Sequence, residues 1–151
     1  MADETKGSEK ISGFSRSEWE RRYQKIRELM QFRDIDCLII TGHEGRNGAW
    51  QCNVQYTCGM SVMSTYVVLP LEGEIIAISS MPAMGGPVAF QKLSFKKGKG
   101  EARRVRDYCG ALVSRIKELE MEKATIGIVE MRVMPAGIYL ELLKELPQAD
   151  F

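Results

Sequence analysis

The chain carries its clearest structural signal between residues 66 and 79, in the stretch YVVLPLEGEIIAIS. Residues 66–71 and 75–79 are rich in β-branched and other apolar side chains, a composition typical of buried strands. Only Glu72, Gly73 and Glu74 separate the two runs. So short a connection predicts an antiparallel hairpin.

Weaker patterns on either side of this hairpin predict the remaining strands. Residues 37–41, CLIIT, form an apolar run that predicts a buried strand, and residues 125–129 predict another. Residues 53–57 predict a weaker strand. Residues 43–51, HEGRNGAWQ, show no periodicity and predict a loop, and residues 88–93 predict a short helix.

Helical patterns alternate with these strands. Two overlapping capping boxes, Ser15 with Glu18 and Ser17 with Glu20, predict a helix start. One face of this helix is apolar (Trp19, Tyr23, Ile26, Met30), and the side chains between them predict a solvated opposite face (Glu20, Arg21, Arg22, Lys25, Arg27, Glu28). A long amphipathic helix from Glu101 and a last helix over 135–146 complete an α/β protein with a mixed sheet.

The composition describes one ordinary globular domain. The 151 residues are 44% hydrophobic and 27% charged, with a net charge of +1, which argues against nucleic-acid or membrane partners. The basic segment 92–106 is interpreted as a solvated loop and helix face. No apolar run approaches the ~20 residues that span a bilayer, and residues 1–14 form a polar leader without a signal-peptide core, so we expect a cytoplasmic protein.

Reactive residues are few. The four cysteines (Cys37, Cys52, Cys58, Cys109) form no C-x-x-C pair and are interpreted as buried, inert thiols. His43 is the only histidine, so any Cys–His or Ser–His pair would have to use it, and no G-x-S-x-G elbow accompanies it. We therefore expect no catalytic residue and no metal site in this chain. The most interesting polar cluster is His43, Glu44, Arg46, Trp50 and Gln51.

Several segments, in order, resemble the N-terminal domain of the creatinase/prolidase/aminopeptidase P family, the "pita-bread" metallopeptidases. The opening helix and strand look like that family's, and Asn53-x-x-Tyr56-x-x-Gly59 is similar to its Asn-x-x-Tyr-Leu-Thr-Gly signature. Further matches follow along the chain (Pro70, Gly73-Glu74, Ile126-Gly127-Ile128 and the closing LPQADF of residues 146–151). The resemblance covers residues 15–151.

This resemblance implies a three-layer α/β/α domain with a mixed sheet, related to the ribonuclease H-like fold. It implies a non-catalytic domain that contributes homodimer contacts and the rim of the partner subunit's active site. Catalysis would lie in a following domain absent from this chain. In the peptidases, two Asp, one His and two Glu of that domain hold two divalent metals (Mn, Co or Zn), whereas creatinase-type members use a histidine without metal.

The resemblance makes five residues candidates for the substrate rim or the dimer interface: His43, Arg46, Trp50, Asn53 and Tyr56. Creatinases carry an aromatic residue and an arginine after the signature glycine, and residues 60–65, MSVMST, contain neither. An Xaa-Pro peptidase parent is therefore favoured over a creatine hydrolase. The alternative is a non-enzymatic protein-interaction module with a peptidase-like fold. The isolated chain is expected to self-associate only weakly.

Overall fold

The computed structural model describes residues 10–11, 14–42, 52–59, 65–79, 88–92 and 101–151. The part of the chain so described contains seven strands, four α-helices and one 3-10 helix. In chain order they are β1 (Lys10–Ile11), β2 (Phe14–Ser15), α1 (Arg16–Phe32), β3 (Cys37–Thr41), α2 (Cys52–Cys58), β4 (Thr65–Pro70), β5 (Ile76–Ser79), β6 (Ala89–Lys92), α3 (Glu101–Glu118), β7 (Ile126–Val129), the 3-10 helix (Met131–Val133) and α4 (Ala136–Glu145).

The main sheet has five strands in the order β6-β5-β4-β3-β7. Strand β4 runs antiparallel to both of its neighbours, and the two outer pairs, β3 with β7 and β5 with β6, are parallel. The predicted hairpin is confirmed, with Val67 opposite Ala77. The mixed sheet is confirmed as well. A separate two-stranded ribbon pairs β1 with β2, so residues 10–11 of the predicted leader pair with the strand directly before α1.

Helices cover both faces of the main sheet, which gives the three-layer α/β/α architecture. One core joins the sheet to α3 and α4 through buried side chains that alternate along the strands (Cys37, Ile39, Tyr66, Val68, Ile78, Ile126, with Leu112, Ile116, Ile138 and Leu142 from the helices). The other joins the opposite face to α1 and α2 (Ile40, Val67, Leu69, Ala77, with Met30, Val54 and Cys58). The period-two alternation of each strand supplies both cores at once.

Two sequence predictions of secondary structure are wrong. Residues 53–57 lie in helix α2 and not in a strand, and residues 89–92 form strand β6 and not part of a helix. Apolar segments this short fit either period, so packing decides between them. Helix α2 lies on the α1 side of the sheet, and β6 pairs with the otherwise open edge of β5.

Two predictions of exposure are also partly wrong. The sequence predicts Arg22 on the solvated face of α1, but the residue is buried with 7% of its surface exposed. Of the four cysteines, Cys37, Cys58 and Cys109 are buried as predicted, whereas Cys52 is exposed at the start of α2. The exposure predicted for the basic segment 92–106 concerns side chains that lie outside those the structure describes.

Candidate functional site

The candidate site lies at the edge of the sheet where β3, β5, β6 and β7 end and β4 begins. Crevices at the carboxyl ends of strands are where open α/β sheets bind ligands. The Thr41 hydroxyl, buried at the end of β3, donates to the carbonyl oxygens of Val129 (3.0 Å) and Glu130 (3.1 Å). Thr65 and Ser79 are also buried at this edge, opposite each other on β4 and β5.

Helix α2 packs beside this edge, against β3 and β4. Its inward face buries Val54, Thr57 and Cys58. The signature residues that precede Gly59 lie on the same helix, with Asn53 partly buried and Tyr56 43% exposed. The Asn-x-x-Tyr-x-x-Gly pattern, whose residues 53–57 the sequence predicts as a strand, is therefore one short helix followed by Gly59.

The end of α2 is held by donors from α1 and from its own cap. The Arg22 Nη1–H donates to the carbonyl oxygen of Tyr56 (3.1 Å), and the Tyr23 hydroxyl donates to that of Thr57 (2.8 Å). The amide of Gly59 donates to the carbonyl of Gln55 (2.9 Å) with φ at +71°. This left-handed glycine cap and the two side chains satisfy three carbonyls that a helix end leaves without intrahelical partners.

Arg22 is the centre of an aromatic cluster. Its guanidinium carbon lies 4.1 Å from the ring centroid of Phe14, 4.5 Å from that of Tyr56 and 4.8 Å from that of Trp19. Its Nε–H donates to the Glu18 carboxylate (2.9 Å). The ring faces attract the cation, and the carboxylate neutralises a charge that would be costly to bury alone. The cluster fixes β2, α1 and α2 to one another.

Glu18 joins two arginines. The Arg21 guanidinium donates to both of its carboxylate oxygens (2.7 and 3.0 Å), and Arg22 donates to one. These hydrogen bonds, that of Arg21 first, lower the pKa of Glu18 to about 2. Its backbone amide meanwhile donates to the Ser15 hydroxyl (3.2 Å), the N-cap of α1. On α1, burial raises the pKa of the Tyr23 phenol.

The five sequence-predicted rim residues divide in two. Asn53 and Tyr56 lie on α2 at the candidate site. His43, Arg46 and Trp50, with their neighbours Glu44 and Gln51, lie outside the described residues. Sequence reasoning missed Arg22 and Tyr23 as the residues that hold α2. The sequence does carry a signal for the role of Arg22, because this arginine lies four residues after Glu18 and next to the aromatic stripe of α1.

Within the described part of the chain, no group of three or more His, Cys, Asp or Glu side chains is arranged to hold a metal ion. No helix among these residues combines the length and the apolar character needed to cross a bilayer.

The family is shown by sequence. A sequence model of the creatinase/prolidase N-terminal domain matches residues 22–151. The chain therefore belongs to this family. No curated protein sequence matches the chain with significance.

Solved structures share the fold at low identity. An Xaa-Pro aminopeptidase of Streptococcus pyogenes is 11% identical with a TM-score of 0.61, covering 89% of each chain. An X-Pro aminopeptidase of Thermotoga maritima (13%, TM-score 0.63) and a prolidase of Pyrococcus horikoshii (22%, TM-score 0.54) cover 85% and 86% of this chain. The chain spans only 32% and 31% of the length of those two proteins. At these identities the likeness shows the fold alone.

Proposed function

We propose that this chain is the non-catalytic N-terminal domain of a longer Xaa-Pro peptidase-like hydrolase, where it contributes dimer contacts and the rim of the partner subunit's active site. The observation that carries the proposal is the match of residues 22–151 to the N-terminal domain of creatinases and prolidases. The chain also spans about a third of a prolidase and of an X-Pro aminopeptidase of the same fold.

The contact between α1 and α2 supports a rim at the edge of the sheet where β3, β5, β6 and β7 end. Tyr56 presents a partly exposed ring there, and the Arg22 cluster fixes the helix that carries it. Loops on a rigid scaffold are where binding residues concentrate. His43, Arg46 and Trp50 follow β3 in sequence, between that strand and α2, and in this proposal they complete the rim with Asn53 and Tyr56.

Catalysis belongs to the following domain in this proposal. Two divalent metals, Mn, Co or Zn, would be held there by carboxylates and a histidine, and the whole enzyme would be a cytoplasmic homodimer. This chain itself would hydrolyse nothing. Metal-activated hydrolysis requires a ligand cage with an open position and an adjacent acid or base.

The coding sequence beyond codon 151 tests the proposal. We expect an in-frame pita-bread domain with two Asp, one His and two Glu in ligand positions, or a creatinase-type histidine in their place. A following domain with neither would favour the interaction-module alternative and overturn the hydrolase. Absence of a following domain would overturn the hydrolase as well.

Sedimentation velocity tests the dimer contacts. The isolated chain should dimerise only at micromolar concentration or above, because part of the interface belongs to the missing domain and a stable interface needs about 1,000 Å² or more. The full-length protein should be a tight dimer. A nanomolar dimer of the isolated chain, or a monomeric full-length protein, would contradict the proposed division of the interface.

A further inference from the structure

Helix α4 carries two rows of apolar side chains, and the sheet covers only one of them. Ile138 and Leu142 face the sheet and are buried. A second row, at spacings of four and three residues, lies on another side of the helix and is exposed, and we call it the outer row (Ala136, Leu140 and Leu143). Leu140 is 63% exposed and Leu143 is 40% exposed. Because an apolar row on a helix is typically the one that faces a partner, the outer row indicates a second contact.

The outer row lies on the side of α4 away from α3. Helix α3 packs against α4. Burial, and then the carboxylates of Glu141 and Glu145, raise the pKa of Cys109 on α3 to about 11, so these two glutamates lie on the α3 side. Successive residues of a helix are rotated by about 100°, which places Leu140 and Leu143 on the far side of α4 from this pair. Neither α3 nor the sheet therefore covers the outer row.

The chain reaches Phe151 on the same side of α4 as the outer row. The Phe151 ring meets the Tyr139 ring of α4 edge-on, with centroids 6.3 Å apart. Tyr139 is four residues before Leu143, so these two side chains are neighbours on the helix surface. Phe151 also packs against the core that α3 and α4 close. A residue that follows Phe151 would therefore begin beside the outer row.

The small size of the outer row favours an attached partner over a separate one. Ala136 and Leu143 are about 10 Å apart along the helix axis. A stable interface between separate chains needs about 1,000 Å² or more, which a row of this length does not provide. A domain joined to Phe151 by a short connection is held at an effective concentration of about millimolar, so a small apolar contact suffices to dock it.

We propose that the outer row of α4 is the surface on which the domain after Phe151 docks in the longer enzyme. Apolar side chains of that domain would cover Leu140 and Leu143. The N-terminal domain then presents different surfaces to two partners. The edge where β3, β5, β6 and β7 end faces the partner subunit, and the outer row faces the catalytic domain of the same chain. This inference rests on the proposed function, because it requires a longer chain.

Hydroxyl-radical footprinting, measured by mass spectrometry, tests the contact. Leu140 and Leu143 should be oxidised about fivefold more slowly in the full-length protein than in the chain of residues 1–151, because the centre of an interface excludes water. Equal oxidation in the two proteins would overturn the docking. Protection that appears in the chain of residues 1–151 as its concentration is raised would assign the outer row to a second copy, and would overturn it as well.

A charged double variant tests whether the contact stabilises the full-length protein. Leu140→Lys with Leu143→Lys should lower the unfolding temperature of the N-terminal domain by about 5 °C or more in the full-length protein. In the chain of residues 1–151 the shift should be under about 2 °C, because both leucines are exposed there. The matched control is Leu29→Lys with Phe32→Lys, an exposed apolar pair of the same spacing on α1, which should have little effect in either protein. An equal loss in the control, or in the chain of residues 1–151, would overturn the docking.

Hydrolysis of Xaa-Pro peptides separates this inference from the proposed function. A full-length protein without that activity would overturn the proposed function alone, because footprinting and the variants still decide whether the following domain docks on α4. A coding sequence that ends at residue 151 would overturn both.

Discussion

At the scale of single residues, α1 and α3 are each followed by a non-glycine residue with an unusual backbone conformation. Asp34 (φ 53°) and Glu120 (φ 57°) lie in the left-handed region, directly after the last turns of these helices. In each case the next amide reaches back to a helical carbonyl, Ile35 to Met30 (2.9 Å) and Met121 to Ile116 (3.0 Å). These are Schellman caps, in which glycine is the preferred residue.

Replacing Asp34 with glycine should stabilise the protein. Asp34→Gly removes the steric penalty of a left-handed side chain, and we expect a gain of about 0.5–1 kcal/mol in the free energy of unfolding, measured in urea. Gly73→Ala is the matched control. Gly73 has φ +98° and open space around an added Cβ, so the substitution adds backbone strain alone and should destabilise the protein. A loss of stability in Asp34→Gly would contradict this account of the cap.

The pKa of Glu18 predicts how stability depends on acid. Because the folded-state pKa is about 2, below the usual value of 4.5, the carboxylate stabilises the fold fully above the usual value. That contribution is lost as the pH falls from about 5 toward 2. Glu18→Gln should therefore lower stability at pH 7 and flatten its dependence on pH below 5, measured by urea unfolding.

A neighbouring glutamate on α1 provides the control for this acid effect. Glu20 makes one exposed ion pair with Arg16 (3.3 Å), and exposed pairs of this kind contribute little. Glu20→Gln should leave the acid dependence almost unchanged. An equal effect of the two substitutions would show that the arginine contacts of Glu18 are not its cause.

The cysteines should differ sharply in reactivity. Burial raises the pKa of Cys37 to about 12 and that of Cys109 to about 11, and Cys58 is fully buried. Cys52 is exposed. A maleimide at pH 7.5 should therefore modify one thiol per folded chain within minutes, detected by mass spectrometry, and none in Cys52→Ser. Rapid labelling of a second site in the native protein would contradict the observed burial.

At the scale of elements, α2 is the shortest α-helix of the described chain and depends on its surroundings. It has seven residues, too few to be stable in isolation. Its stability comes from the buried Val54, from the donors on α1 and from the left-handed cap at Gly59. Packing and capping thus override a sequence pattern that is equally compatible with a strand.

Gly59→Ala should destabilise the protein by about 1–2 kcal/mol, because a Cβ in the left-handed conformation is sterically costly. Gly110→Ala is the opposite control. Gly110 is exposed within α3 and has open space for a Cβ, so alanine should stabilise the helix by about 0.5–1 kcal/mol. Chemical denaturation would measure both changes in stability. If Gly59→Ala were neutral, the glycine cap would not be what ends α2.

At the scale of the whole molecule, the sheet separates two cores, and each is closed by two helices. The larger core joins α3 and α4 to the sheet, and Leu112 is fully buried within it. Leu112→Ala should cost about 2–5 kcal/mol in the free energy of unfolding. Leu140 of α4 is 63% exposed, so Leu140→Ala should lower the free energy of unfolding by under about 1 kcal/mol. Thermal and urea unfolding check both, and equal losses would contradict the assigned layers.

The hairpin, the long helices and the strand over residues 37–41 could be predicted from local pattern. The helices have an apolar stripe along α1 and α3, the hairpin has a three-residue connection between its strands, and residues 37–41 form an apolar run that ends at Gly42. The Asn-x-x-Tyr-x-x-Gly pattern likewise pointed to the family. That Asn53 and Tyr56 belong to a rim stays a prediction. These signals are local, and local sequence suffices for them.

Tertiary contacts alone decided the short segments and the burial of single polar residues. Residues 52–58 are helical because α1 supplies donors to their carbonyls, and residues 89–92 are extended because β5 offers them an open edge. Arg22 is buried because Tyr56, 34 residues away along the chain, and Phe14 of β2 bring their rings against its guanidinium. In each case the deciding partner lies outside the local pattern, and only the folded chain brings it into contact.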